Sequence, residues 1–187
     1  MKRRLAIFAS GNGSNFEAIA AAAADGEIDA EVVLCVCDKA GAGVLQRAEH
    51  YQIPTFVFDP HDSTKEEFEG RIVERLDAAK VDLVCLAGYM RIVGEVMLAA
   101  YGGRIVNIHP ALLPAFKGAH AIRDSFEAGV KVFGVTIHYV DQTLDGGRII
   151  AQSAFPYEGD DIEALEAMIH RTEHKLYVDT IKKLIEK

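Results

Sequence analysis

Positive charge is scarce in this sequence. Its 20 lysines and arginines face 28 aspartates and glutamates, a formal net charge of −8 over 187 residues. A chain this acidic lacks the electrostatic footprint of a protein that binds nucleic acid or an anionic membrane surface. An anionic small molecule would have to be held by local devices, such as helix N-termini and a few placed basic residues. Long apolar runs are missing too: no segment approaches the roughly 18–20 apolar residues of a membrane span. The start, MKRRLAIFAS, carries the charge of a signal peptide. Its apolar run is too short, however, and Gly11-Asn12-Gly13 interrupts it before any cleavage-like site. Cysteine is sparse. Cys35, Cys37 and Cys85 all sit in apolar runs, and the first two are spaced CxC rather than CxxC. That favours buried free thiols over metal or redox roles, and a cytoplasmic protein.

What is present reads as a globular core. Half of the residues are hydrophobic and 26% are charged, and a chain of this size can bury a core without staples. Short apolar runs at 5–9, 32–36, 55–58, 83–87 and 105–108 alternate with helix candidates at 15–25, 43–51, 65–79 and 94–101. The runs are too continuously apolar for surface helices and read as strands buried on both faces. The segment 65–79 puts Phe68, Ile72, Val73 and Leu76 on one helical face. This rhythm predicts an α/β fold with a doubly wound, mostly parallel sheet. Beyond residue 130 the period changes to two over 132–139. A turn-rich segment, 141–147, and a second strand-like run, 148–155, follow. These predict an antiparallel C-terminal extension of the sheet. Residues 161–187 read as a long C-terminal helix packing back on the body. With no repeat, low-complexity tract or linker, residues 1–187 read as one domain.

Three loops hold polar residues suited to chemistry. The first is Ser10-Gly11-Asn12-Gly13-Ser14-Asn15, between the first strand and the first helix. Glycines permit a tight turn and close approach of a ligand. Ser14 or Asn15 can cap the helix, and free N–H groups at a helix N-terminus bind phosphate. The pattern is neither GxGxxG nor Gly-Lys-Ser/Thr, which disfavours a dinucleotide and leaves a single phosphate or a plain capping turn. The second loop, Asn107-Ile108-His109-Pro110, ends a strand. Residues two apart in extended chain point the same way, so an amide and an imidazole would face one space. A structural hydrogen-bonding histidine would read the same. In the third, Asp141–Gly147, Gly146-Gly147 suggests a forced turn with Asp145 just ahead of it. Beside His109, Asp145 would favour the imidazolium; an ordinary hairpin loop has the same spacing.

Together these segments resemble the folate-dependent phosphoribosylglycinamide formyltransferases, a family with a Rossmann-like fold. The resemblance rests on FASGNGSNFEAI at 8–19, LAGYMRIV at 86–93, NIHPALLPAFKGAHA at 107–121, VTIHYVDQTLDGGRIIAQ at 135–152 and RTEHKLY at 171–177. NIHPxLLP with a downstream LDGG belongs to the wider formyltransferase group, and SGNGSN and FKGAHA narrow it. The resemblance implies formyl transfer from the co-substrate 10-formyltetrahydrofolate to the amine of glycinamide ribonucleotide in de novo purine biosynthesis. A tetrahedral intermediate forms directly, without a metal or a covalent adduct. Asn107 would then donate to the oxyanion. His109, as imidazolium, would stabilise it and help a proton reach the leaving nitrogen. Asp145 would keep His109 charged and organise water. Gly13, Ser14 and Asn15 would hold the ribonucleotide phosphate. Glu173 would help from the C-terminal helix, where it otherwise reads as a solvated face. Met90, Arg91, Ile92 and Val93 would wall the folate cleft. Asn107 and the chain from Val140 through Leu144 to Asp145 would also contact the folate. One departure stands out. Family members often carry an arginine before the third helix for the folate glutamate tail; the nearest match here is Lys65, which keeps the charge but loses the bidentate fork.

Competing expectations are a formyltetrahydrofolate deformylase, which usually has an extra N-terminal domain while this chain begins at its first strand, and a non-catalytic folate- or nucleotide-binding module. A methionyl-tRNA formyltransferase would carry a tRNA-binding domain and a basic surface. The expected partners are the two small-molecule substrates, with no nucleic acid and no membrane, for a monomer or homodimer. His138 reads as a packed strand residue, His174 is given no chemistry, and His120 is a candidate for the border of the site.

Overall fold

Seven strands join in one sheet in the computed structural model, which describes residues 2–186. In chain order the elements are β1 (Arg3–Ala9), α1 (Ser14–Ala24), β2 (Ala30–Cys37), α2 (Val44–His50), β3 (Thr55–Val57), α3 (Lys65–Ala78), β4 (Leu83–Leu86), α4 (Glu95–Tyr101), β5 (Ile105–His109), α5 (Ala121–Glu127), β6 (Val132–Tyr139), β7 (Ile149–Pro156) and α6 (Ile162–Ile185). The strand order is β3-β2-β1-β4-β5-β6-β7. The first five strands are parallel, and β6 and β7 add on antiparallel.

The continuous apolar strands follow from burial on both faces. On β1, Leu5, Ile7 and Ala9 enter one core with Phe16 and Ile19 of α1, Val44 of α2 and Leu165 and Tyr177 of α6. Ala6 and Phe8 enter the other with Phe68 and Ile72 of α3 and Met97 and Tyr101 of α4. Helices therefore cover both sides, as a doubly wound sheet requires. The chain moves outward from β1 to β2 and β3, then crosses back to β4 on the other side of β1. That reversal opens a crevice at the carboxyl ends of β1 and β4, where such sheets bind ligands.

Two helix starts depart from simple capping. Neither Ser14 nor Asn15 caps α1. The cap position is Gly13, in the left-handed region at φ 79°, and Ser14 is the first helical residue. The Asn15 side chain turns to Glu173 instead. Glu69, buried within α3, accepts from the N–H groups of Gly94 (2.6 Å) and Met97 (3.3 Å) and so caps α4 from a neighbouring helix. By contrast α3 has its own capping box, Thr64 with Glu67. Sequence periodicity misses α5, because its seven residues bury only Ala121 and Ser125. The C-terminal helix is present from Ile162 to Ile185, with Asp161 as its cap; the expected end at Lys187 lies outside the described residues. All three cysteines are free and buried, and burial pushes the Cys35 and Cys85 thiols up to about 12. Among the described residues, no helix is long and apolar enough to cross a membrane.

Tyr177 locks α6 to the sheet. Its buried hydroxyl donates to the Leu86 carbonyl on β4 (2.9 Å) and lies 3.1 Å from the Val106 carbonyl on β5. Glu173 is one helical turn earlier, so the same lock places its carboxylate at the crevice. Tyr177→Phe should lower unfolding stability by about 1–3 kcal/mol, because buried carbonyls lose their donor. Urea denaturation reads this directly, and an unchanged midpoint would show that the hydroxyl anchors nothing.

Candidate functional site

The crevice is a cleft of about 600 Å³ lined by five chain segments and, midway along α6, by His170, Glu173 and His174. Each segment is placed by a local device. Behind β1, the Gly13 conformation suits a residue without a side chain, and a Cβ there would come within 2.6 Å of the Val44 side chain. The loop can therefore lie flat on α2. At the start of α1, the first N–H groups have no carbonyl within the helix to bond. Ser10 ties this loop to the next one. Its N–H donates to the Gly88 carbonyl (3.0 Å) and its hydroxyl accepts from the Met90 N–H (2.9 Å). Arg91 is held by a 2.9 Å ion pair to the buried Asp38. Met90, Ile92 and Leu144 are exposed by 66, 66 and 55% at the cleft, an apolar rim suited to a flat ring system.

Asn107 and His109 lie at the end of β5, on the same face of the sheet. In the β5–β6 pairing, Asn107 sits opposite His138 and His109 opposite Thr136. Cross-strand partners share a face, so four polar side chains meet there. Thr136 serves the backbone that follows His109. Its buried hydroxyl donates to the Ala111 carbonyl (2.7 Å) and accepts from the Leu113 N–H (3.0 Å) and from Gln152 (2.9 Å). His138 serves Asn107. Its Nδ1–H donates to the Tyr139 carbonyl (2.9 Å), leaving Nε2 to accept from the Asn107 amide at 3.2 Å. That contact fixes the Asn107 amide with nitrogen toward His138. Burial lowers the His138 pKa from its ordinary 6.5, which keeps this acceptor lone pair available.

Asp145 completes the cluster. It has a positive φ of 45°, ahead of a Gly147 at which any Cβ would collide with the Tyr139 carbonyl. The forced turn is thus a close backbone approach at Gly147, with the left-handed conformation borne by Asp145 itself. The Asp145 carboxylate accepts from the Gly118 N–H (2.8 Å). It lies 3.6 Å from His109 Nδ1 and 3.8 Å from His138 Nε2. His109, 4% exposed, donates Nε2–H to the Phe116 carbonyl at 2.7 Å. Its two ring nitrogens thus face oxygen atoms on both sides, the Phe116 carbonyl and the Asp145 carboxylate.

A second cluster gathers on α6. Glu173, 5% exposed, accepts from the Asn15 amide (3.1 Å) and pairs with His170 Nδ1 (2.8 Å). It is not a solvated face. The Asn15 side-chain oxygen and His174 Nε2, both buried at the cleft, have no hydrogen-bond partner among the described residues. The hydrogen bond to Glu173 raises the His170 pKa, whereas burial lowers that of His174.

The structure brings Gly13, Ser14, Asn15, Met90, Arg91, Ile92, Val93, Asn107, His109, Val140, Leu144, Asp145 and Glu173 into one cleft. Lys65 is not in its lining. A Cβ on Gly94 would lie 2.6 Å from Lys65 Cε, so this side chain rests against the start of α4. His120 is exposed and outside the lining. Sequence reasoning missed His138 and His170. His138 becomes visible only through the β5–β6 register. His170 carried a signal, since it sits three residues before Glu173 on a predicted helix.

Comparison with known proteins places the chain in a family. A family model described as formyl transferase matches residues 3–181. The chain is 51% identical over 185 residues to phosphoribosylglycinamide formyltransferase of Bacillus subtilis (strain 168), covering 98% of this chain and 95% of that one. It is 40% identical to a trifunctional purine biosynthetic protein adenosine-3 of Drosophila melanogaster, covering 98% of this chain but 14% of that much longer one. Its fold superposes on the crystal structure of glycinamide ribonucleotide transformylase 1 from Geobacillus kaustophilus with a TM-score of 0.96 at 49% identity. That match covers 99% of this chain and all of the other.

The two histidines should titrate on opposite sides of 6.5, His138 below and His170 above. The favourable neutral state of His138 supports the fold above 6.5, and that support is lost as pH falls through its depressed value. The His170–Glu173 pair supports the fold below 6.5 and is lost as pH rises through the raised value. Imidazole proton NMR, assigned with His138→Asn and His170→Gln, checks the order; His138 titrating above His170 would contradict the contacts described.

Proposed function

The chain belongs to the formyl transferase family, and on that premise we propose that it transfers the formyl group of 10-formyltetrahydrofolate to the amine of glycinamide ribonucleotide. This is a step of de novo purine biosynthesis, carried out in the cytoplasm by residues 1–187 as one catalytic domain. The similarity to the Bacillus subtilis and Geobacillus kaustophilus proteins supports the choice of substrates. The observation that carries the reading is a single cleft holding two distinct kinds of chemistry. One part offers unpaired N–H groups behind a glycine loop, suited to a phosphate. The other offers Asn107, His109 and Asp145, suited to a carbonyl that becomes an oxyanion.

The chemistry follows from these groups. The neutral amine attacks the formyl carbon, a C–N bond forms, and the carbonyl electron pair moves onto oxygen. The free N–H of the Asn107 amide, whose other N–H is given to His138, donates to that oxygen. His109 supplies positive charge beside it, and Asp145 supplies the counter-charge. Such donors lower the barrier because the oxygen carries full charge only in the transition state and intermediate. The Nε2–H of His109 is donated to the Phe116 carbonyl in this structure, so the reacting oxygen competes with that carbonyl for it. Collapse breaks the bond to the folate nitrogen, which gains a proton while the attacking nitrogen loses one. His109 and water ordered by Asp145 carry that exchange. The ribonucleotide phosphate rests on Gly13, Ser14 and Asn15, and Glu173 accepts from the sugar or amine side. The folate lies against Met90, Arg91, Ile92 and Val93, with Val140 and Leu144 across from them. Lys65 would reach the glutamate tail only from outside the cleft.

The test is an absorbance assay of tetrahydrofolate release. Turnover should require both substrates; equal turnover without the ribonucleotide would make the protein a deformylase. Asn107→Ala should lower kcat about 10²–10³-fold, roughly 2.7–4 kcal/mol of transition-state stabilisation. Full activity in that variant or in His109→Ala would refute the assigned roles.

A further inference from the structure

Arg47 of α2 is half-buried and is not part of the cleft lining, yet it reaches the glycine loop from behind. Its Nε–H donates to the Asn12 backbone carbonyl (2.8 Å) and its Nη2 to the Asn12 side-chain oxygen (3.2 Å). Its third nitrogen, Nη1, pairs with the carboxylate of Glu17 in the first turn of α1. Val44, one turn earlier on α2, donates its N–H to the Gly11 carbonyl (3.1 Å) and packs its side chain against Gly13. One guanidinium thus joins three pieces of chain: α2, the loop and α1.

The geometry has a directional consequence. In a trans peptide the carbonyl and the following N–H point in opposite directions. With the Asn12 carbonyl drawn toward Arg47, the Gly13 N–H points away from Arg47. We propose that Arg47 is a positioning residue for phosphate binding: it sets the Asn12–Gly13 peptide so that the Gly13 N–H joins those of Ser14 and Asn15 as a preformed anion cradle. Its charge is spent on Glu17 and on two oxygens of Asn12, so it acts through the loop rather than as a counter-ion. The two-pronged hold on Asn12 needs the planar fork of arginine, and lysine offers only a point donor. The inference rests on the proposed function for the identity of the natural phosphate ester.

The experiment compares wild type, Arg47→Lys and Arg47→Gln in two ways. In steady-state kinetics both variants should raise KM for the ribonucleotide about tenfold, as loss of a charge-assisted hydrogen bond implies. The kcat and the KM for the folate should stay within about twofold. A merely structural role would instead lower the melting midpoint and kcat with both KM values unchanged, and would overturn the proposal. So would full rescue by lysine. In the second readout, inorganic phosphate is titrated into each protein and the amide resonances of Gly13, Ser14 and Asn15 are followed. Saturable shifts in wild type, weakened about tenfold in both variants, support the cradle. Equal binding in Arg47→Lys, or none in wild type, overturns it. If phosphate binds as described but the ribonucleotide is not used, the acceptor assignment fails and the role of Arg47 stands.

Discussion

The carboxylate of Asp145 is the charge around which the site is arranged. It accepts from Gly118 and lies within 3.6–3.8 Å of both His109 and His138. The chain reaches that position only because Asp145 takes a left-handed conformation and Gly147 lets the backbone pass against Tyr139. Buried charge is costly without partners, and the Gly118 N–H and the His109 ring are the groups that face it. His109 and His138 share one face of the sheet, yet only His138 turns a lone pair to a neighbouring amide. The difference is set by their other contacts. His109 donates Nε2–H to the Phe116 carbonyl, whereas His138 keeps a lone pair for Asn107.

The rest of the fold brings two further regions of the cleft to that charge. The reversal between β1 and β4 places the glycine loop and the segment 88–93 on opposite sides of one crevice. Antiparallel addition of β6 brings His138 to Asn107 and carries the chain onward to Asp145. Tyr177 pins α6 to the last residue of β4 and to Val106 of β5, so Glu173 meets Asn15 although they lie 158 positions apart in the chain. Preorganisation is the common theme: polar groups are held by second contacts before any substrate arrives.

The doubly wound sheet was readable from the sequence because burial on both faces writes itself as short unbroken apolar runs. The antiparallel end was readable because the period changes to two at β6. The helix α5 was not, since it buries too little to show a period. The gathering of Asn107, His109 and Asp145 came from motif resemblance, and the structure supplies distances that spacing could not. The pairing of His138 with Asn107 depends on a strand register, and that of Asn15 with Glu173 on how α6 crosses the sheet. Both are tertiary facts with no local trace. Ser14 or Asn15 as a cap was a reasonable local expectation that lost to Gly13 and to the pull of Glu173 on Asn15.

The most direct test of the central role of Asp145 is the kcat of Asp145→Asn with both substrates saturating. The amide keeps the size of the side chain and an oxygen to accept from Gly118, but removes the charge facing His109. The structure predicts a fall in kcat of roughly 10²–10⁴-fold, in the range of lost acid–base assistance, with KM for the ribonucleotide unchanged. A variant that turns over at the wild-type rate would contradict the placement of that charge at the heart of the reaction.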